Sequence, residues 1–226
     1  MATSGTAAFN LDIVEIIEEA YEQCTLSLRT GYEMKTARRS LNLLALDWSN
    51  RGYNLWTVDQ GAIPLFAGVP TYDLPADTID IVEQVIRQTT GATVMDISVT
   101  RIGMPSYATI PVKNTLGRPA QVWVDRQVAP RITVWPIPQD DSYTYVYWRM
   151  RRIQDAGVSG ELSYDIPQRF LPCLIAGLAY KIAMKRPEVA ERLPMLKAEY
   201  EEQWLLASTE DREKVTMRLV PKRSYG

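Results

Sequence analysis

Histidine is absent from all 226 residues, and with it go Ser-His-Asp and Cys-His catalysis, histidine-ligated metals and the commonest general base. Cysteine is nearly absent. Cys24 and Cys173 are far apart and neither sits in a CxxC pair, which argues against a zinc site or a disulfide framework and leaves reduced, half-buried thiols as the expectation. Neither a GxxxxGK[S/T] loop nor a GxGxxG turn occurs, so nothing points to a glycine-rich phosphate cradle. Charge of one sign is not in excess either. Lys and Arg number 25 against 27 Asp and Glu, a net −2, so any contact with DNA has to come from a local patch. Long apolar runs are missing: the longest, 171–180, ends at Lys181 and is about half of a transmembrane helix. The opening 1–10 has no basic n-region of a secretory signal, and carboxylates follow it. The expectation is a chain in the host cytoplasm, outside the membrane, without cofactor and without enzymatic activity.

What is present is ordinary globular composition, 46% hydrophobic and 23% charged. Over 11–28, Ile13, Val14, Ile16, Ile17, Ala20, Tyr21 and Cys24 fall on one side of a helical wheel and carboxylates on the other, with Asn10 as the expected N-cap. After Gly31 a second helix is predicted over 33–50, with Met34, Ala37, Leu41, Leu44, Ala45 and Trp48 as its core stripe. Leu43 and Leu46 project from the opposite side, beside Arg39. Beyond Gly52, period-two segments take over, at 55–58, 71–74, 79–88, 93–101, 121–126, 131–135 and 143–153, with prolines between or at their ends. The segment 121–135 reads as a hairpin. Helical character returns near Asp165: 170–184 is apolar nearly all round, and a later helix carries Leu193, Leu196, Tyr200, Trp204 and Ala207, with a break or kink expected at Pro194. The fold class predicted is α+β, a helical bundle from 1–52 and 163–213 around an inserted β-rich domain, 53–162. An extended basic tail, 214–226, follows.

Chemistry is sparse. Carboxylate pairs are the remaining catalytic route, and Glu15 with Glu19 or Glu199 with Glu202 are the candidates for a cell-wall hydrolase. All lie on faces that read as solvated surface. The strand Tyr143-Thr-Tyr145-Val-Tyr147-Trp-Arg149-Met-Arg151 places tyrosines and arginines on one face, half-exposed. That pattern suits base stacking in a sequence-tolerant nucleic-acid module or a protein interface. The candidate subunit-interface residues are therefore Leu43, Leu46, Arg39, Tyr145, Tyr147, Arg149 and Arg151.

The run Ala37-Arg38-Arg39-Ser40-Leu41-Asn42-Leu43-Leu44-Ala45-Leu46-Asp47-Trp48-Ser49-Asn50-Arg51-Gly52-Tyr53-Asn54-Leu55-Trp56-Thr57-Val58 resembles the helix-to-strand segment of head-to-tail adaptors of short-tailed phages, the tail tubular protein A and packaged-DNA-stabilisation group. Further matches follow in the family's order: Tyr72-Asp73-Leu74-Pro75, Gly117-Arg118-Pro119-Ala120, Trp135-Pro136-Ile137-Pro138 and Gly177-Leu178-Ala179-Tyr180. The resemblance implies a virion protein at the head–tail junction that assembles with itself as a ring, expected to be a homododecamer. Its implied partners are the portal protein above, the tail nozzle protein below and packaged double-stranded DNA in the lumen. The C-terminal segment is implied to dock on the portal, which assigns that role to Arg218, Lys222, Arg223 and Tyr225 by their position in the chain.

Overall fold

The computed structural model of the chain describes residues 11–52, 55–155 and 164–212. In chain order the elements are α1 (Ile13–Gln23), α2 (Gly31–Asn50), β1 (Val58–Pro64), β2 (Thr71–Asp73), β3 (Thr78–Thr90), β4 (Thr93–Ser98), β5 (Thr100–Ile102), the short helix α3 (Met104–Ala108), β6 (Leu116–Gly117), β7 (Gln121–Asp125), β8 (Arg131–Trp135), β9 (Ile137–Pro138), β10 (Tyr143–Arg151), α4 (Leu171–Ala183) and α5 (Leu193–Glu210). The class is α+β, as expected. The chain divides into two compact units, residues 1–44 with 156–226, and residues 45–155.

In the helical unit, α1 starts at a capping box: Asp12 Oδ1 accepts the Glu15 N–H at 2.8 Å and Glu15 Oε2 accepts the Asp12 N–H at 3.0 Å. The N-cap is thus Asp12, not Asn10, because the acidic pair at this spacing satisfies two orphan donors at once. A second box opens α2, where Thr30 Oγ1 accepts the Glu33 N–H and Glu33 accepts the Thr30 N–H in return. The helix therefore begins at Gly31, two residues before the predicted start. Ile13, Ile16, Ile17, Ala20 and Tyr21 of α1 are buried, and α1 packs on α4. The Cys24 thiol donates to the Ala179 carbonyl at 3.2 Å.

Helix α4 is buried almost all round, as its sequence predicts. Gly177 is there for closeness: a Cβ at this position would stand 2.8 Å from the Tyr200 ring and 2.9 Å from Leu44 Cδ2. Tyr200 stacks on Tyr180 at 6.3 Å, and Trp204 meets Phe170 edge-on at 6.1 Å, so the aromatic residues of α5 clamp both ends of α4. Pro194 does not kink α5. It occupies the helix's first turn, where its missing N–H costs no hydrogen bond.

The other unit is built from two four-stranded sheets, ordered β1-β10-β3-β4 and β2-β8-β7-β5, with β6 and β9 as a separate parallel pair. Inward side chains from both sheets form one core that includes Ile81, Ile86, Tyr143, Tyr145 and Tyr147 from the first and Tyr72, Val122, Val124, Ile132 and Val134 from the second. The 121–135 hairpin forms as predicted, β7 against β8. Two strand predictions change. Leu55–Thr57 is a 3-10 turn and the strand starts at Val58. The 93–101 segment splits at Val99: β4 stays on β3, while β5 joins the second sheet, parallel to β7.

Candidate interaction surfaces

On α2, Ala37, Ser40, Leu41, Leu44 and Trp48 are buried, while the opposite side carries Tyr32, Lys35, Arg39, Leu43 and Leu46. Leu43 is 55% exposed and Leu46 50%. Their spacing of three and four residues aligns Arg39, Leu43 and Leu46 in one stripe, as the sequence places them. Helix α5 has the same two-sidedness: Leu196, Tyr200 and Ala207 face the core, yet Leu205 and Leu206 remain exposed. A helix that spends leucines on both sides has apolar area left over for a partner.

The aromatic strand does not belong with these surfaces. Tyr145 is fully buried and Tyr147 nearly so, stacked on each other with ring centroids 5.3 Å apart. The Tyr145 hydroxyl donates to Gln84 Oε1 at 2.6 Å, and burial pushes its pKa up. The half-exposed face expected from the sequence is covered by the second sheet, so these rings have no free face for bases or for a neighbour. Tyr147 instead lies across Gly61, its cross-strand partner, where a Cβ would collide with the ring.

Arg149, at the solvent end of that strand, is itself well covered and is held by Asp77 at 2.5 Å, Thr78 at 2.9 Å and Asp59 at 3.2 Å. Its hydrogen bonds keep the Asp77 carboxyl below the usual aspartate range. Arg151 lies 3.9 Å from the same Asp59. These cations are engaged within their own unit. Arg218, Lys222, Arg223 and Tyr225 lie outside the described residues.

The helical unit also carries a concavity that its sequence pattern does not announce. Over α4, between α1 and α5, runs a groove of about 560 Å³. Leu171, Pro172, Ile175 and Ala176 of α4 form its apolar floor, and Glu15, Glu18, Glu19 and Glu22 of α1 face Glu199 of α5 along its sides. Among the described residues, none that lines it is Lys or Arg. The carboxylates proposed for hydrolysis are thus partly gathered here, but Glu15 is occupied in its capping box and Glu199 accepts from Gln203 Nε2 at 3.0 Å. Glu202 does not line the groove.

Comparison with known proteins bears on what these surfaces serve. The family model for the SU10 adaptor protein matches residues 17–222. The chain belongs to the SU10 adaptor protein family. The match takes in α4 and α5 together with every strand, and α1 from its second turn onward. This is a family of phage head–tail adaptors, whose role is structural. A search of curated proteins finds no match to the chain. Family membership accords at the coarse level with the resemblance carried by the 37–58 run, and it places the protein in the virion.

Proposed function

We propose that this chain is a ring-forming connector between the portal and the tail nozzle of a short-tailed phage, akin to the tail tubular protein A group. In this role it continues the DNA channel and helps retain the packaged double-stranded DNA. The observation that carries the reading is the family match across 17–222, which spans both compact units rather than one shared module. The exposed leucines support it. A closed ring needs a heterologous interface, two different patches that meet on neighbouring copies; α2 offers the Leu43–Leu46 stripe and α5 the exposed Leu205 and Leu206. Leu43, Leu46 and Arg39 form one half of that contact. Arg149 and Arg151, held by Asp77 and Asp59 within the β unit, are left out of that contact, and Arg218, Lys222, Arg223 and Tyr225 dock on the portal.

Each subunit contact in a ring assembled on a symmetric template is modest, since multivalency holds the whole. The free protein is accordingly monomeric or weakly associated. Electron microscopy of the chain mixed with its portal tests the reading: a homododecameric ring seated on the portal is the expected image. Stable closed rings in sedimentation without portal overturn the template requirement, and absence of the chain from assembled virions overturns the connector role.

A further inference from the structure

We propose that the acidic groove over α4 holds the chain's own C-terminal segment, residues 213–226, in the free subunit. The proposal goes beyond the connector role and does not depend on it. Three observations converge. First, the groove is unbalanced: Glu18, Glu19 and Glu22 have no cationic partner among the described residues, and their one-turn spacing sets like charges side by side. Second, the segment has the complementary composition. After Glu213 come Lys214, Arg218, Lys222 and Arg223 with no further carboxylate side chain, interspersed with Val215, Met217, Leu219 and Val220. Cations for the sides and apolar groups for the floor are both present. Third, the described residues end beside the groove. Asp211, just past the end of α5, is bound to Arg169, whose chain neighbour Gln168 lines the groove.

Reach favours the same chain as the donor. Fully extended, residues 213–226 span on the order of 45 Å, whereas the flank of the groove from Leu11 to Gln23 is roughly 18 Å long at the helical rise. A short tether also gives an effective concentration of about a millimolar, well above that of a second copy in dilute solution. Where the same segment also docks on the portal, as proposed above, capture has to draw it out of the groove, so the groove sets how readily an unassembled subunit offers its tail.

Limited trypsin digestion of the full-length chain, with a synthetic peptide of residues 213–226 as the free reference, tests this directly. At low ionic strength, cleavage after Arg218 is expected about tenfold slower in the protein than in the peptide, because proteolysis follows the population of the open form. Raising the salt to about 0.5 M, or combining Glu18→Gln, Glu19→Gln and Glu22→Gln, is expected to restore most of the peptide's rate. These side chains are exposed and outside the capping box, so the fold is retained, and the salt series gives the same reading with no substitution. Cleavage of the full chain at the peptide's rate in low salt overturns the proposal. So does protection that survives the triple substitution, and protection that grows with protein concentration assigns the groove to a neighbour's tail instead.

Discussion

The two units of this chain treat their charged and apolar residues in opposite ways. In the β unit several arginines are matched inside the unit: Arg149 with Asp77 and Asp59, Arg101 with Asp80, Arg87 with Asp96, Arg131 with Asp73. Tyr143, Tyr145 and Tyr147 are sealed between its two sheets, and its exposed apolar side chains, such as Phe66, Val94, Val112 and Val128, are spread over turns and an edge strand. The helical unit leaves Glu18, Glu19 and Glu22 without a cationic partner among the described residues and leaves Leu43, Leu205 and Leu206 exposed. A surface whose charges are already paired gains little from a charged partner, whereas an unmatched groove and an apolar stripe both gain from being covered. The β unit therefore reads as a finished scaffold, and the helical unit as the half that still awaits contacts.

If that contrast is right, the β unit suffers most from internal change. Tyr145→Ala removes a fully buried ring and strands the Gln84 acceptor, and it is expected to cost about 4 kcal/mol, seen as a lowered midpoint in urea unfolding. A loss below about 1 kcal/mol would mean that the second sheet does not seal this face. Next comes crowding in the helical core. Gly177→Ala forces a Cβ onto Tyr200 and Leu44 and is expected to cost about 2 kcal/mol, read from the thermal midpoint, while Ala176→Gly beside it opens no such clash.

A pH dependence follows from Glu33. Its carboxylate accepts the Arg29 N–H at 2.9 Å and the Arg186 guanidinium at 2.6 Å, and these bonds lower its pKa from the ordinary 4.5 to about 2. A group whose folded pKa is depressed contributes stability above its unfolded value and loses it as pH falls through the folded one. The contribution is thus complete above about pH 4.5 and fades toward pH 2. Unfolding midpoints of Glu33→Gln and the parent are expected to differ at neutral pH and to converge across that window, and a difference that persists at pH 2 would rule the linkage out.

How much of this was legible in the sequence depended on how local each signal was. The α2 stripe of Ala37, Leu41, Leu44 and Trp48 was readable because helical periodicity is written in neighbouring residues. The Thr30–Glu33 box is readable as well, at the usual capping spacing, but a glycine at position 31 reads as a break rather than as a first turn. Strand β1 carries Gly61 and Pro64, which spoil its alternation, and it exists because β10, far along the chain, supplies its partner. Alternation placed Tyr145 and Tyr147 on one face but carried no sign that another sheet covers that face. The groove was hidden for the same reason. Glu18, Glu19 and Glu22 look like any solvated helix side until α4 and α5 are set beside them.

The smallest expected change in stability carries the most weight for the exposed side of α2, a helix whose residues from Ala45 onward are counted with the β unit. Leu43→Ser and Leu46→Ser lie on the exposed side of α2 and remove little buried area, so together they are expected to shift the free subunit's unfolding by no more than about 0.5 kcal/mol. Their effect on association is expected to be far larger, because an apolar residue at the centre of an interface contributes only when water is excluded around it. The double variant should remain a folded subunit, with an unchanged circular dichroism spectrum, that no longer forms rings on the portal in electron micrographs. If rings form normally, the α2 stripe is ordinary surface, and the half of the molecule that awaits contacts must make them through α5 instead.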